Sequence, residues 1–428
     1  MISPSSYNRP PVLTPAVASL LALAVAIVLS CTTQLNVGLI AIAAAWLIGV
    51  FVAGWPGDSI AAGFPTQLFL TLAGVTLLFA ISDVNGTVHA VAVRLMRLAR
   101  GSTRIVPLLF FLIAMIVATV GPGAIASVAL VVPIAMALGA RARVPALLTA
   151  LMVANGANAG NLSPLSSVGV IANTKMAAVG LGGHEWKVWG ANFAAHLLVG
   201  LAAWAIFGGL RRARDDHAPV AADAPPPLGW RQGLTMTAVT AWVAAVVLFG
   251  VHIGFSAFAA AVLLIVARAA DETAAVRKMP WSAILMVCGV SLLIAVLEKT
   301  GGMDLFTTLL SRMATPATIN GFIAFITGAI STYSSTSGVV LPTFLPTVPG
   351  LVSRVGGGDP LAVALSINVG ASLVDVSPLS TIGALCVAAV SDPALSRDLF
   401  RKMLVWGLAM TVVGALLCQA FAGAFARL

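Results

Sequence analysis

Apolar runs of about 18 residues follow one another along the whole chain, and each can cross a bilayer core of ~30 Å as a helix. In lipid every backbone N–H and C=O must find a partner within the protein, so only helices and closed barrels span. The runs lack the period-two alternation of a barrel. Composition agrees with helices in a membrane. The chain is 60% hydrophobic and 9% charged, with mean hydropathy +1.04, whereas a soluble domain is about a quarter charged. The expected fold class is an all-α polytopic membrane protein.

Within this oily sequence one polar string occurs twice. Residues 161–169 read NLSPLSSVG and residues 375–383 read DVSPLSTIG, an offset of 214 that is half of the 428 residues. Proline removes a backbone donor and clashes with the preceding turn, so each copy breaks a helix. The same offset relates other segments in order. Runs at 14–31, 36–53 and 66–83 map onto 228–245, 250–267 and 280–297, and the amphipathic stretch 88–100 maps onto 302–314. The chain therefore reads as a duplicated fold.

The first repeat, 1–210, is expected to hold spans at 14–31, 36–53 and 66–83, a hairpin at 105–139, a broken helix at 145–179 and a span at 190–210. The second, 232–428, is expected to hold spans at 232–251, 253–268 and 280–297, a hairpin at 317–351, a broken helix at 360–390 and a span at 403–425. A charged, alanine-rich and proline-rich linker, 211–231, joins them. The hairpin segments are too long for one span and carry a glycine-rich or hydroxyl-rich middle, so each reads as re-entrant. Such backbone is tolerated only inside protein or beside a water-filled cavity. Each repeat then has five spans, and the whole has ten spans and two hairpins. Five is odd, so the repeats are expected to have inverted topologies.

Charge sets the orientation. With both termini outside and the linker in the cytoplasm of a bacterial-type inner membrane, 16 of the 23 Lys and Arg residues fall on inner loops, as the positive-inside rule requires. This use of the +9 charge also argues against nucleic acid as a partner. The run ending at Cys31 looks like a signal peptide with a loose lipoprotein box, but the duplication assigns it as the first span. The four cysteines sit in apolar runs without metal-ligand spacing and read as core.

Inverted repeats with matching broken helices point to a secondary transporter's site. A break frees carbonyls that can hold a cation and N–H groups that can hold an anion. Substrate-lining candidates are Ser163, Pro164, Ser166 and Ser167 with Ser377, Pro378, Ser380 and Thr381 at the breaks. At the hairpin tips they are Gly121, Gly123 and Ala124 with Thr332, Ser334 and Ser335. Asn158 joins them from the polar stripe Asn155, Asn158 and Asn161. Cation-coupling candidates are Asn155, Asn161, Asn368, Ser372 and Asp375, with sodium expected near Asn161 and Asp375. Asp375 is the one carboxylate well inside an expected span, where an ionisable residue is costly and functional by default. No cofactor is expected beyond Na+. No nucleotide loop, HExxH, GxSxG or nucleophile–base pair appears, so an intramembrane enzyme is the remote reading.

The strings GPG (121–123), NAGNLSPLSSVGVI (158–171) and DVSPLSTIG (375–383) resemble the ion-transporter superfamily, and most of all its malonate/dicarboxylate-carrier (MatC-like) branch, related to the divalent-anion/sodium symporters. The resemblance implies a homodimer in the lipid bilayer, an elevator-type carrier, and a small dicarboxylate such as malonate or a C4 acid moved with a cation. The membrane subunit of a TRAP-like, binding-protein-dependent system shares that fold and is the nearest alternative. The divalent-anion symporters carry Ser-Asn-Thr at both tips; the matching places here read Gly123-Ala124-Ile125 and Thr332-Tyr333-Ser334.

Overall fold

The computed structural model describes residues 14–32, 35–96, 105–120, 123–208, 227–332, 334–390 and 392–428. Most of the linker, the tip residues Gly121 and Pro122, and Tyr333 lie outside these. Every regular element among the described residues is helical. The first half contains α1 (Pro15–Thr32), α2 (Val37–Leu47, continued by a π-helical turn Ile48–Val52), α3 (Gly57–Ala61), α4 (Thr66–Val84), α5 (Thr87–Met96), α6 (Ile105–Val120), α7 (Ala124–Arg141), α8 (Ala146–Asn161), α9 (Ser167–Ala178) and α10 (Glu185–Ile206). The second contains α11 (Trp230–Phe249), α12 (Ile253–Val266), α13 (Glu272–Lys278), α14 (Trp281–Lys299), α15 (Gly302–Ser311), α16 (Ile319–Ser331), a π-helical turn Thr336–Val340, α17 (Leu341–Phe344), α18 (Val348–Val355), α19 (Pro360–Leu373), a 3-10 turn Val374–Val376, α20 (Thr381–Ala388) and α21 (Pro393–Arg427).

Among the described residues, five helical stretches are long and apolar enough to cross a bilayer: Thr66–Val84, Glu185–Ile206, Thr336–Val355, Pro360–Ala388 and Pro393–Arg427. The bent pair α14 and α15 adds a sixth; it turns by 89° at Gly301, whose φ of 78° needs no Cβ. Shorter apolar stretches of 10–17 residues are Pro15–Leu29, Val37–Val52, Ile105–Val120, Ala124–Ala140, Ile253–Val266 and Ile319–Ser331. α6 and α7, the arms of the first expected hairpin, are among them. The long runs of the sequence are thus cut into shorter helices by prolines, glycines and the π turns, and α21 begins ten residues before the span expected at 403–425.

Helices in lipid gain little from hydrophobic association, so small residues that let backbones approach set the contacts. A Cβ on Gly156 of α8 would stand 2.2 Å from the Phe111 carbonyl of α6, and one on Gly370 of α19 would stand 2.6 Å from Ala324 Cα of α16. The helix before each break therefore lies directly on the first helix of its own half's expected hairpin, α8 on α6 and α19 on α16. Two further crossings join the halves. Gly38 of α2 meets α14, where its Cβ would be 2.2 Å from the Leu285 carbonyl; Gly254 of α12 meets α4, 2.6 Å from Thr71 Cα. The second helix of each half packs on a later helix of the other.

Candidate functional site

Both breaks are built from the same hydrogen bonds. α8 ends at Asn161, and Pro164 cannot continue the helix. Ser166 takes an extended conformation (φ −86°, ψ 152°) and caps α9: its hydroxyl accepts from Gly169 N at 3.0 Å and donates to the carbonyls of Asn161 and Ser163. Ser163 Oγ accepts from Leu165 N at 3.2 Å. In the second half Ser380 (φ −88°, ψ 162°) caps α20 in the same manner, accepting from Gly383 N and donating to the carbonyls of Asp375 and Ser377. Ser377 Oγ accepts from Leu379 N at 3.3 Å. Orphan groups at helix ends must be satisfied, and here the serines of the repeated string do it. Ser163, Ser166, Ser377 and Ser380 are buried by that role.

The residue that opens each string ties its break to a hairpin tip. Asn161 Oδ1 accepts from Ala124 N at 2.9 Å. Gly123 beside it has φ 98°, and a Cβ there would stand 3.1 Å from both Asn161 Oδ1 and Ser167 Oγ. At the matching place the Asp375 carboxylate meets the Thr336 hydroxyl, which also contacts Ser331 and donates to the Ala371 carbonyl. Asp375 is buried, the one acidic residue that is among those described. In the second tip Ser335 caps Gly338 N at 3.0 Å, Thr332 bonds back to the Gly328 carbonyl, and Ser334 Oγ is buried with no hydrogen-bond partner. The halves also meet here: α8 packs against the Val374–Val376 turn and α20, and α9 against the Thr336–Val340 turn.

A cavity of about 340 Å³ lies against the first tip and the first break. Ala124 and Ser167 line it, with Thr76 of α4 and Ser337 of the second tip. At its wall Lys278 and Asp83 form an ion pair of 3.2 Å. The other serines of the breaks do not line this cavity; Pro164 is half-buried, Pro378 is buried and Thr381 is exposed. Thr76, Asp83 and Lys278 are new to the site, whereas Ser337 belongs to the hydroxyl-rich second tip. No local signal marks the first three, because only packing brings α4 to α9 and α13 to α4.

The asparagine stripe divides. A helix turns 100° per residue, so a step of three falls 60° short of a full turn. Asn155, Asn158 and Asn161 therefore fan over about 120°. Asn161 faces the tip, Asn155 meets α10 through its side chain, and Asn158 meets α10 through its main-chain carbonyl, with its side-chain amide buried and without a hydrogen-bond partner. Asn155 Oδ1 lies 3.1 Å from His196 Nδ1, and Asn192 Nδ2 donates to the Asn158 carbonyl at 2.6 Å. All four side chains are fully buried. In the second half Asn368 donates to Ala364 O and lies 3.5 Å from Met176 Sδ of α9, and Ser372 donates to Asn368 O. The sequence did not point to Asn192 or His196; both sit on one face of α10, four residues apart.

Residues 13–161 match the family described as the N-terminus of the dicarboxylate carrier protein MatC. No curated protein shows a significant match to the chain. Among solved structures, the YdaH transporter of Alcanivorax borkumensis is 16% identical, with 86% of this chain and 87% of that chain covered and a TM-score of 0.55. MtrF of Neisseria gonorrhoeae, described within a class of antimetabolite efflux pumps, is 12% identical, with 95% of each chain covered and a TM-score of 0.59. The chain is thus a multi-pass helical membrane protein with the fold of these solved structures, and its residues 13–161 match the N-terminal family model of the MatC dicarboxylate carrier.

Proposed function

We propose that this protein is a secondary active carrier of a small dicarboxylate, malonate or a C4 acid, coupled to sodium and working by elevator-type alternating access. The observation that carries the reading is the identical bonding of the two helix breaks, each tied to a hairpin tip and placed half a chain apart. The match to a dicarboxylate-carrier family supplies the substrate class. Two inverted halves, 1–210 and 232–428, place the first hairpin open to the inside and the second to the outside, with both termini outside the inner membrane. A dianion is held at the Ala124 and Ser167 end of the cavity by the N-terminus of α9 and by hydroxyls. Sodium is a hard cation that takes oxygen ligands, and the Asp375 carboxylate, the Thr336 hydroxyl and nearby carbonyls are the donors that fit it. The working unit is a homodimer.

The test is uptake by proteoliposomes that contain only the purified chain. The reading predicts counterflow of labelled malonate or a C4 dicarboxylate, with a monocarboxylate of similar size moving at least about tenfold more slowly, as expected when a second charge-assisted contact is lost. Transport only after addition of a soluble binding protein would move the protein to the TRAP-like class. No movement of any carboxylate would overturn the reading.

A further inference from the structure

Among the described residues that line the cavity, Asp83 and Lys278 carry the only charges. Asp83 lies at the end of α4 and Lys278 ends α13, so the pair bridges two elements beside the cavity that reaches Ala124 and Ser167. Their side chains are 42% and 59% exposed. An ion pair in such contact with water holds its partners weakly, because water and salt compete for both. Lys278 is therefore a cation that can leave its partner for another carboxylate at little cost. It stands on the wall of a space that the proposed function assigns to a dianion, and the breaks themselves contain no Lys or Arg.

We propose that Lys278 is a docking residue for the substrate: a carboxylate of the dianion displaces Asp83 from Lys278 at the cavity wall before it reaches the first break. This rests on the dicarboxylate reading. Asp83 acts as the counter-charge that keeps Lys278 from retaining the anion. Its repulsion of a dianion makes release reversible, and the exchange of one carboxylate for another leaves the ammonium paired at every stage.

The experiment measures transport from each side of oriented vesicles at low ionic strength. K278Q is expected to raise the half-saturation concentration for the dicarboxylate about tenfold on the side onto which the cavity opens, the usual loss when a charged contact becomes neutral. K278R is expected to recover most of it. D83N is expected to lower the half-saturation concentration several-fold, since the competing carboxylate is gone. These differences are expected to shrink as salt rises, because the Debye length falls to about 10 Å at 0.1 M. A structural role for the pair predicts instead that K278Q and D83N do the same harm and that salt changes neither. That outcome, or a half-saturation within twofold of the parent for both variants, would overturn the proposal while leaving a carrier that transports dicarboxylates. Failure of the parent protein to move any dicarboxylate would overturn the functional reading itself and the docking role with it.

Discussion

Gly169→Ala and Gly383→Ala are each expected to destabilise the protein severely and to remove transport. A Cβ on Gly169 would lie 1.8 Å from the Ser163 carbonyl oxygen and 2.6 Å from its carbon; one on Gly383 would lie 2.0 Å and 2.3 Å from the same atoms of Ser377. The obstacles are backbone, not the ends of flexible side chains, so they cannot turn aside. Relief requires α9 or α20 to withdraw, and withdrawal breaks the Ser166 or Ser380 cap. Overpacking a core costs 1–3 kcal/mol even where side chains can adjust, and about 3 kcal/mol or more is expected where a buried cap is lost as well. Gly182→Ala is the control, because the nearest atom, Ala177 Cβ, is 3.4 Å away. Thermal melting in detergent checks the result. Melting of both variants within about 0.5 °C of the parent, a shift of roughly 0.5 kcal/mol for a chain of this size at about 2.1 cal/mol/K per residue, would contradict the tight geometry of the breaks.

The second large effect is expected from Asp375→Asn. The substitution keeps the shape of the side chain and an acceptor for the Thr336 hydroxyl, but removes the charge. Asp375 is 7% exposed, and its own carbonyl is already taken by Ser380. What changes is therefore the carboxylate as a ligand. Replacing a charged oxygen by a neutral one weakens a charge-assisted contact by roughly half, so the sodium concentration for half-maximal uptake is expected to rise about tenfold or more, with some uptake left. Uptake with sodium and proton gradients imposed separately reads this directly. If the variant loses gradient-driven uptake under both regimes yet keeps exchange, Asp375 carries a proton and the coupling ion is H+. If ion dependence and rate are both unchanged, Asp375 only holds the tip to the break, and the cation lies among the carbonyls of 155–163 and 368–377.

How much of this was legible in the sequence differs by element. The breaks were, because proline beside serines in an apolar run has few structural uses and the string occurs twice. The link from break to tip was half legible: Asn161 and Asp375 stand out as polar residues at matched places, but their partners Ala124 and Thr336 come from segments 37 and 39 residues away. The regular spacing of the asparagine stripe hides a division, since three residues are not a whole turn: Asn161 bonds the tip, while the Asn155 side chain meets His196 of α10. The serines read from sequence as lining a ligand space; in the structure Ser166 and Ser380 cap α9 and α20, and Ser163 and Ser377 accept from Leu165 N and Leu379 N within the breaks. The charged wall of the cavity was not legible at all. Lys278 follows Arg277 in what reads as an ordinary basic inner loop, and only the packing of α13 on α4 and of α4 on α9 brings it to the cavity beside the first break. The 89° turn between α14 and α15 was visible only as a Gly-Gly pair, which fits a loop as well as a bend.

The central claim is that the two halves are inverted copies around one pair of breaks, and single-cysteine labelling tests it most directly. Gly182 follows the first broken helix and Ala394 follows the second, at matching places in the two halves; both are exposed. In a background with Cys31, Cys288, Cys386 and Cys418 replaced by alanine, Gly182→Cys and Ala394→Cys are treated with a membrane-impermeant maleimide. The account predicts that Gly182→Cys is labelled in intact cells and that Ala394→Cys is labelled only after permeabilisation. Labelling of both positions from the same side would mean that the halves run parallel, and would contradict the account.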